Sequence, residues 1–141
     1  MKKLILFLSL FVATTLSAQT KAGDIIGTYM NAEGEAVIKI YETSGKYFGK
    51  LIWSKKPEKL DENNPDPAKR SQKRLGMVLM NNFVFDDDQW EDGTIYDPKN
   101  GKTYDCKVTR DAKGNLDIRG YIGISLLGRT THWTKVDFKE K

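Results

Sequence analysis

Seven side chains carry most of the binding chemistry in this sequence: Trp53, Tyr96, Tyr104, Tyr121, Trp133, Arg119 and Arg129. Tyr and Trp rings combine large apolar area with one polar tip, and a guanidinium offers a planar fork that matches a carboxylate or phosphate. Ligand sites are mostly apolar with a few placed polar groups, so this set reads as the lining of a pocket for a small amphipathic or anionic molecule. The structural alternative is that the rings fill a core, that Arg129 packs over Tyr29, and that Arg119 pairs with Asp105 or Asp117.

Other chemistry has thinner support. Cys106 is the single cysteine and His132 the single histidine. Cys106 alternates with Tyr104 and Val108 on an apolar face, so it reads as a small core residue rather than half of a Cys–His dyad, which would also lack a third orienting group. Asp97, before Pro98, reads as a turn acceptor for its own backbone. The acids Asp86, Asp87, Asp88, Glu91 and Asp92 lack the spacing and the glycine of a calcium loop, and so does the stretch Asp61 to Asp66. A zinc site would want ligands beyond His132. No nucleophile–base pair or carboxylate dyad is identifiable, so catalysis is not expected, and neither a metal nor a cofactor is expected.

The elements that must position these residues begin after residue 18. Lys2 and Lys3 form a positive start, Leu4 to Ala13 an apolar run too short for a membrane span, and small residues follow. Residues 1–18 therefore read as an export signal cut after Ala18, with Ser17 the alternative. No cysteine follows for lipid attachment, so a periplasmic or secreted protein is expected. Residues 19–141 are enough for one domain. Lys2 and Lys3 account for part of the formal net charge of +4, and the remaining mixture of signs is no nucleic-acid footprint.

Within that domain, short alternating runs are separated by turn residues. The pattern predicts strands over Asp24–Met30, Glu35–Thr43, Tyr47–Ser54, Leu75–Phe85, Thr94–Asp97, Lys102–Arg110, Leu116–Ile122 and Arg129–Phe138. Ser44-Gly45-Lys46, Asp86–Gln89, Pro98–Gly101 and Asp111–Asn115 are the turns, and Gly123–Gly128 is a tight connection. Lys55–Arg74 breaks the rhythm with Pro57, Pro65, Pro67 and many basic side chains. Asp66-Pro67 is a helix start, predicting a short helix over Pro67–Gln72. Eight strands joined by hairpins describe an all-β, up-and-down antiparallel barrel, ahead of a two-sheet sandwich.

Two sets of residues carry a family resemblance. Gly27-x-Tyr29 on the first strand and Arg129 on the last resemble the Gly-x-Trp and the covering cation of the calycins, the lipocalin-like barrels, with Tyr in place of Trp. More specifically, Asn64-Pro-Asp-Pro67, Gly93-x-Ile-Tyr-Asp-Pro98, Asn100-Gly-Lys-x-Tyr104, Arg119-Gly-Tyr-Ile-Gly123 and Gly128-Arg-Thr-x-x-Trp133 resemble a family of exported bacterial proteins known as a domain of unknown function, DUF 2147. The resemblance implies a small exported calycin barrel and brings no activity. Two readings of function follow. One is a barrel that holds a small amphipathic or anionic ligand beneath the 55–74 loop. The other is a solidly packed interaction or structural protein of the envelope that works through that loop.

Overall fold

The structure is a computed structural model that describes residues 18–123 and 128–140. The expected export signal lies outside the described residues except for Ala18, as does most of the Gly123–Gly128 connection. Eight strands run β1 (Gly27–Met30), β2 (Ala36–Thr43), β3 (Lys46–Ser54), β4 (Val78–Asp86), β5 (Gln89–Asp97), β6 (Lys102–Arg110), β7 (Leu116–Tyr121) and β8 (Arg129–Val136). Each pairs antiparallel with the next, and β8 pairs back with β1 to close a barrel. The up-and-down barrel expected from the strand pattern is therefore the fold, and the sandwich is not.

Turn chemistry explains the hairpins. Ser44 (φ 53°) and Gly45 (φ 77°) make the two-residue β2–β3 turn with both centres left-handed, the geometry whose twist matches the flanking strands. Asp87 (φ 46°) and Asp88 (φ 64°) do the same between β4 and β5. The acidic cluster there thus serves a turn, since Asp tolerates left-handed backbone better than most residues.

Strand β5 begins at Gln89 rather than Thr94. Asp92-Gly93 has the sequence of a hairpin turn, but here it forms an irregularity inside the strand. Asp92 takes φ 58°, and the β5–β6 register shifts between Trp90 and Gly93. The ring of Phe83 fills the place of the missing side chain, about 2.4 Å from where a Gly93 Cβ would stand. At the N-terminus, the strand expected from Asp24 starts only at Gly27, because Ala22–Ile25 winds into a 3-10 turn. The helix expected over Pro67–Gln72 is a single 3-10 turn, Pro67–Lys69. Asp66 caps it by accepting from Ala68 N at 3.0 Å. After one more turn, closed by Gln72 N to Lys69 O, it goes no further because Gln72 and Lys73 are held against the preceding segment, with Asp61 N bonded to Gln72 O and Leu60 bridged to Lys73.

One half of the barrel is packed solid. Tyr29, Ile40, Tyr47, Phe83, Trp90, Cys106, Val108 and Leu116 are buried there. The first 3-10 turn plugs this end, and the polar tips of two large rings fasten it. Trp90 Nε1 donates to Ala22 O at 3.0 Å, and the Tyr29 hydroxyl donates to Ile25 O at 2.8 Å. Tyr29 fills one end of the barrel as expected, but not beneath Arg129. It sits opposite Lys135 on β8, while Arg129 stands opposite Gly120 at the far end of that strand. The cation acting on the Tyr29 phenol is Arg110.

Candidate ligand-binding site

The other half of the barrel is open. A cavity of about 880 Å³ descends from the end where β1–β2, β3–β4, β5–β6 and β7–β8 connect. Its deeper wall is apolar, built by Ile38, Leu51, Leu79, Ile95, Ile118 and Trp133. Its mouth is charged: Lys55, Lys56, Lys59, Arg74, Lys99 and Arg129 stand against Glu33, Glu35 and Asp97. An apolar pocket with a few convergent polar groups is the usual form of a small-molecule site. The interior is not solidly packed throughout.

Strand register decides which expected residues reach this space. On β8, Arg129, Thr131 and Trp133 alternate inward and line the cavity. Tyr104 on β6 lies across from Ile95 and also lines it. Tyr96 and Tyr121 border the cavity at its rim. Tyr121 is paired with Asp105 on the outer side of the β6–β7 ladder, and burial followed by the Asp105 carboxylate raises its phenol pKa.

Two expected residues lie elsewhere. Trp53 packs against Phe138, with ring centroids 6.2 Å apart. A register shift between Val37 and Ile38 leaves Ile52 without a partner and resets the alternation of β3, so Trp53 does not follow Leu51 into the barrel. Arg119, between the inward residues Ile118 and Gly120, projects outward and donates to Thr130 Oγ1 at 3.1 Å. Its expected pairing with Asp105 or Asp117 is not seen. Asp117 instead meets His132 Nδ1 at 2.8 Å. That pair lies on the exposed face, apart from Cys106, which is buried in the core.

The long β3–β4 loop forms a fixed wall at the mouth, and Asp61 is the residue that fixes it. Its side chain is fully buried. Oδ1 accepts from the Tyr96 hydroxyl at 2.8 Å and Oδ2 from Asn64 Nδ2. The Asn64 amide is oriented in turn because its Oδ1 accepts from Asp66 N at 2.9 Å. Burial and this bond to Asp61 push the Tyr96 phenol up to about 12. Asn63 Nδ2 donates to Lys99 O at 2.8 Å, and a Cβ on Gly101 would stand about 1.9 Å from Asn63 O. Asn63, just before the Asn-Pro-Asp-Pro stretch, and the Lys99–Gly101 turn are thus two sides of one contact. Sequence reasoning missed the role of Asp61, because a buried carboxylate in a polar loop has no periodic signature. It also missed Ile118 and Gly120, which alternation from Leu116 would have placed inside.

A closed eight-stranded antiparallel barrel, plugged at one end and open over an apolar cavity at the other, has a lipocalin-like fold. A family model described as an uncharacterized protein conserved in bacteria (DUF2147) matches residues 27–135, and the chain belongs to that family. A solved structure that it resembles is described as protein HP1028 from the human pathogen Helicobacter pylori, belonging to the lipocalin family. The TM-score is 0.73 at 23% identity, over 80% of this chain and 83% of that one. No curated protein matches the chain. Among the described residues, no helix is long and apolar enough to cross a membrane, and no group of His, Cys, Asp and Glu is arranged to hold a metal.

Proposed function

We propose that the protein is an exported binding protein that holds a small amphipathic or anionic molecule in the open half of its barrel. One observation carries the reading: a cavity of about 880 Å³ with an apolar floor and a cation-rich mouth. Burying an apolar body against that floor is worth ~25 cal/mol for each Å² removed from water. The cations at the mouth steer an anion toward the opening. In this reading the protein is a carrier rather than an enzyme. The cavity favours a carrier over a solidly packed interaction protein, and the 55–74 loop serves as part of its wall.

Native mass spectrometry of the protein recovered from its own cell envelope tests the reading. The expected result is a bound small molecule released on denaturation; protein that is empty and takes up no amphiphile overturns it. Export is tested on the same sample. An N-terminus at Gln19 or Ala18 supports periplasmic or secreted placement, and an N-terminus at Met1 contradicts it.

A further inference from the structure

The hydrogen-bond directions at the mouth distinguish two tyrosines that look alike in sequence. Tyr96 spends its hydroxyl hydrogen on Asp61. Tyr104 does not spend its own. Its oxygen accepts from Asn100 Nδ2 at 2.8 Å. The Asn100 amide cannot be turned round without loss, because its Oδ1 accepts from Lys102 N at 2.9 Å. The Tyr104 O–H therefore remains available as a donor, and among the described residues it has no acceptor.

Arg129 differs from the other cations that line the cavity. Lys55, Lys56, Lys59, Arg74 and Lys99 stand in loops, while Arg129 stands on a barrel strand. Its register puts it on the inward row with Thr131 and Trp133. Among the described residues it makes no ion pair. Gly120 pairs with it directly across β7–β8. A Cβ on Gly120 would stand about 3.5 Å from Tyr104 Cβ, so the Tyr104 side chain lies over the bare backbone of β7, one strand from Arg129. Donors on rigid strands hold an anion with better defined geometry than lysines on a loop.

We propose that Tyr104, Gly120 and Arg129 form an anion-recognition subsite that takes the carboxylate head of the ligand. The inference rests on the binding reading above. The guanidinium offers two parallel N–H groups to the carboxylate oxygens, and the Tyr104 hydroxyl donates a third hydrogen bond. Below the head, the four steps from Arg129 to Trp133 span ~13 Å of strand. Allowing for strand tilt, the apolar body has a depth of ~10 Å.

The test is isothermal titration of the full exported chain with decanoate, decanol and decyltrimethylammonium. Wild type, Arg129→Gln, Tyr104→Phe and a control at the plugged end, Lys113→Gln in the exposed β6–β7 turn, are compared. The expected order is decanoate tightest and the ammonium weakest. Arg129→Gln weakens decanoate roughly tenfold or more and leaves decanol unchanged, as loss of a hydrogen-bonded charge requires. Tyr104→Phe weakens decanoate severalfold and decanol by less, and Lys113→Gln changes neither. Retained decanol binding shows that each variant is folded. Equal affinity for decanoate and decanol, indifferent to Arg129→Gln, overturns the subsite and leaves the cavity reading standing. Failure of wild type to bind any of the three overturns the cavity reading, and the subsite with it.

Discussion

Single residues in the packed half decide stability. Tyr29 is completely buried and fastens the plug through its hydroxyl. Truncating a core aromatic costs about 3–5 kcal/mol, whereas an exposed lysine such as Lys139 costs within ~0.5 kcal/mol. Tyr29→Ala should therefore shift the urea midpoint far more than Lys139→Ala, and equal midpoints would contradict the plug. Cys106 supplies a pH signature. Burial pushes its thiol from 9.0 up to about 12. Between those values the unfolded chain has lost the proton that the folded chain keeps, so stability falls as pH rises. The expected result is a urea midpoint that declines above pH 9, with the decline between pH 9 and 10 reduced in Cys106→Ala even though that variant starts lower. Burial also pushes the Tyr29 phenol up to about 12, which steepens the decline above pH 10. The folded thiol should resist alkylation at pH 8 and react once the chain is unfolded in urea.

At the scale of elements, the β3–β4 loop is held by a few specific contacts and should be separable from the barrel. Gly101 has φ 71° and no room for a side chain beside Asn63 O. Gly101→Ala should unseat the loop, giving faster hydrogen exchange over residues 60–75 and unchanged exchange in β6 and β7. Equal acceleration throughout would show that the loop is part of the cooperative core. The strands were largely legible beforehand, because half-buried antiparallel strands write a period of two into the sequence. β6 matched from Lys102 to Arg110, whereas Arg129 and Trp133 were picked out by side-chain type, and only the register of β8 shows that they share the inward row. What escaped was wherever the period breaks. The bulge near Ile52 sent Trp53 outward, Asp92-Gly93 mimicked a turn inside β5, and Asp61 is defined only by partners far along the chain. Arg119 was misassigned because an arginine on a half-exposed strand faces either way unless its neighbours' phase is followed from Leu116.

For the whole molecule, one pairing differs in kind from the other seven. Neighbours from β1 to β8 are joined by turns or a loop, but the seam between β8 and β1 joins opposite ends of the domain. It is clamped at Thr28, whose hydroxyl donates to Val136 O, 108 positions away, at 2.6 Å and accepts from Phe138 N at 3.4 Å. A chain ending at Ile122 would keep six ladders, yet both outer strands would carry unpaired backbone groups that template pairing with other copies. Light scattering on that truncation should report self-association at concentrations where the full chain stays monodisperse; a monodisperse truncation would show that the edges are otherwise protected. The order of synthesis adds a kinetic consequence. A polypeptide delivered N-terminus first can lay down its hairpins as they arrive, but it stays an open, adhesive ribbon until its last strand is released. The seam thus makes the interval before β8 emerges the time when this chain most needs a chaperone.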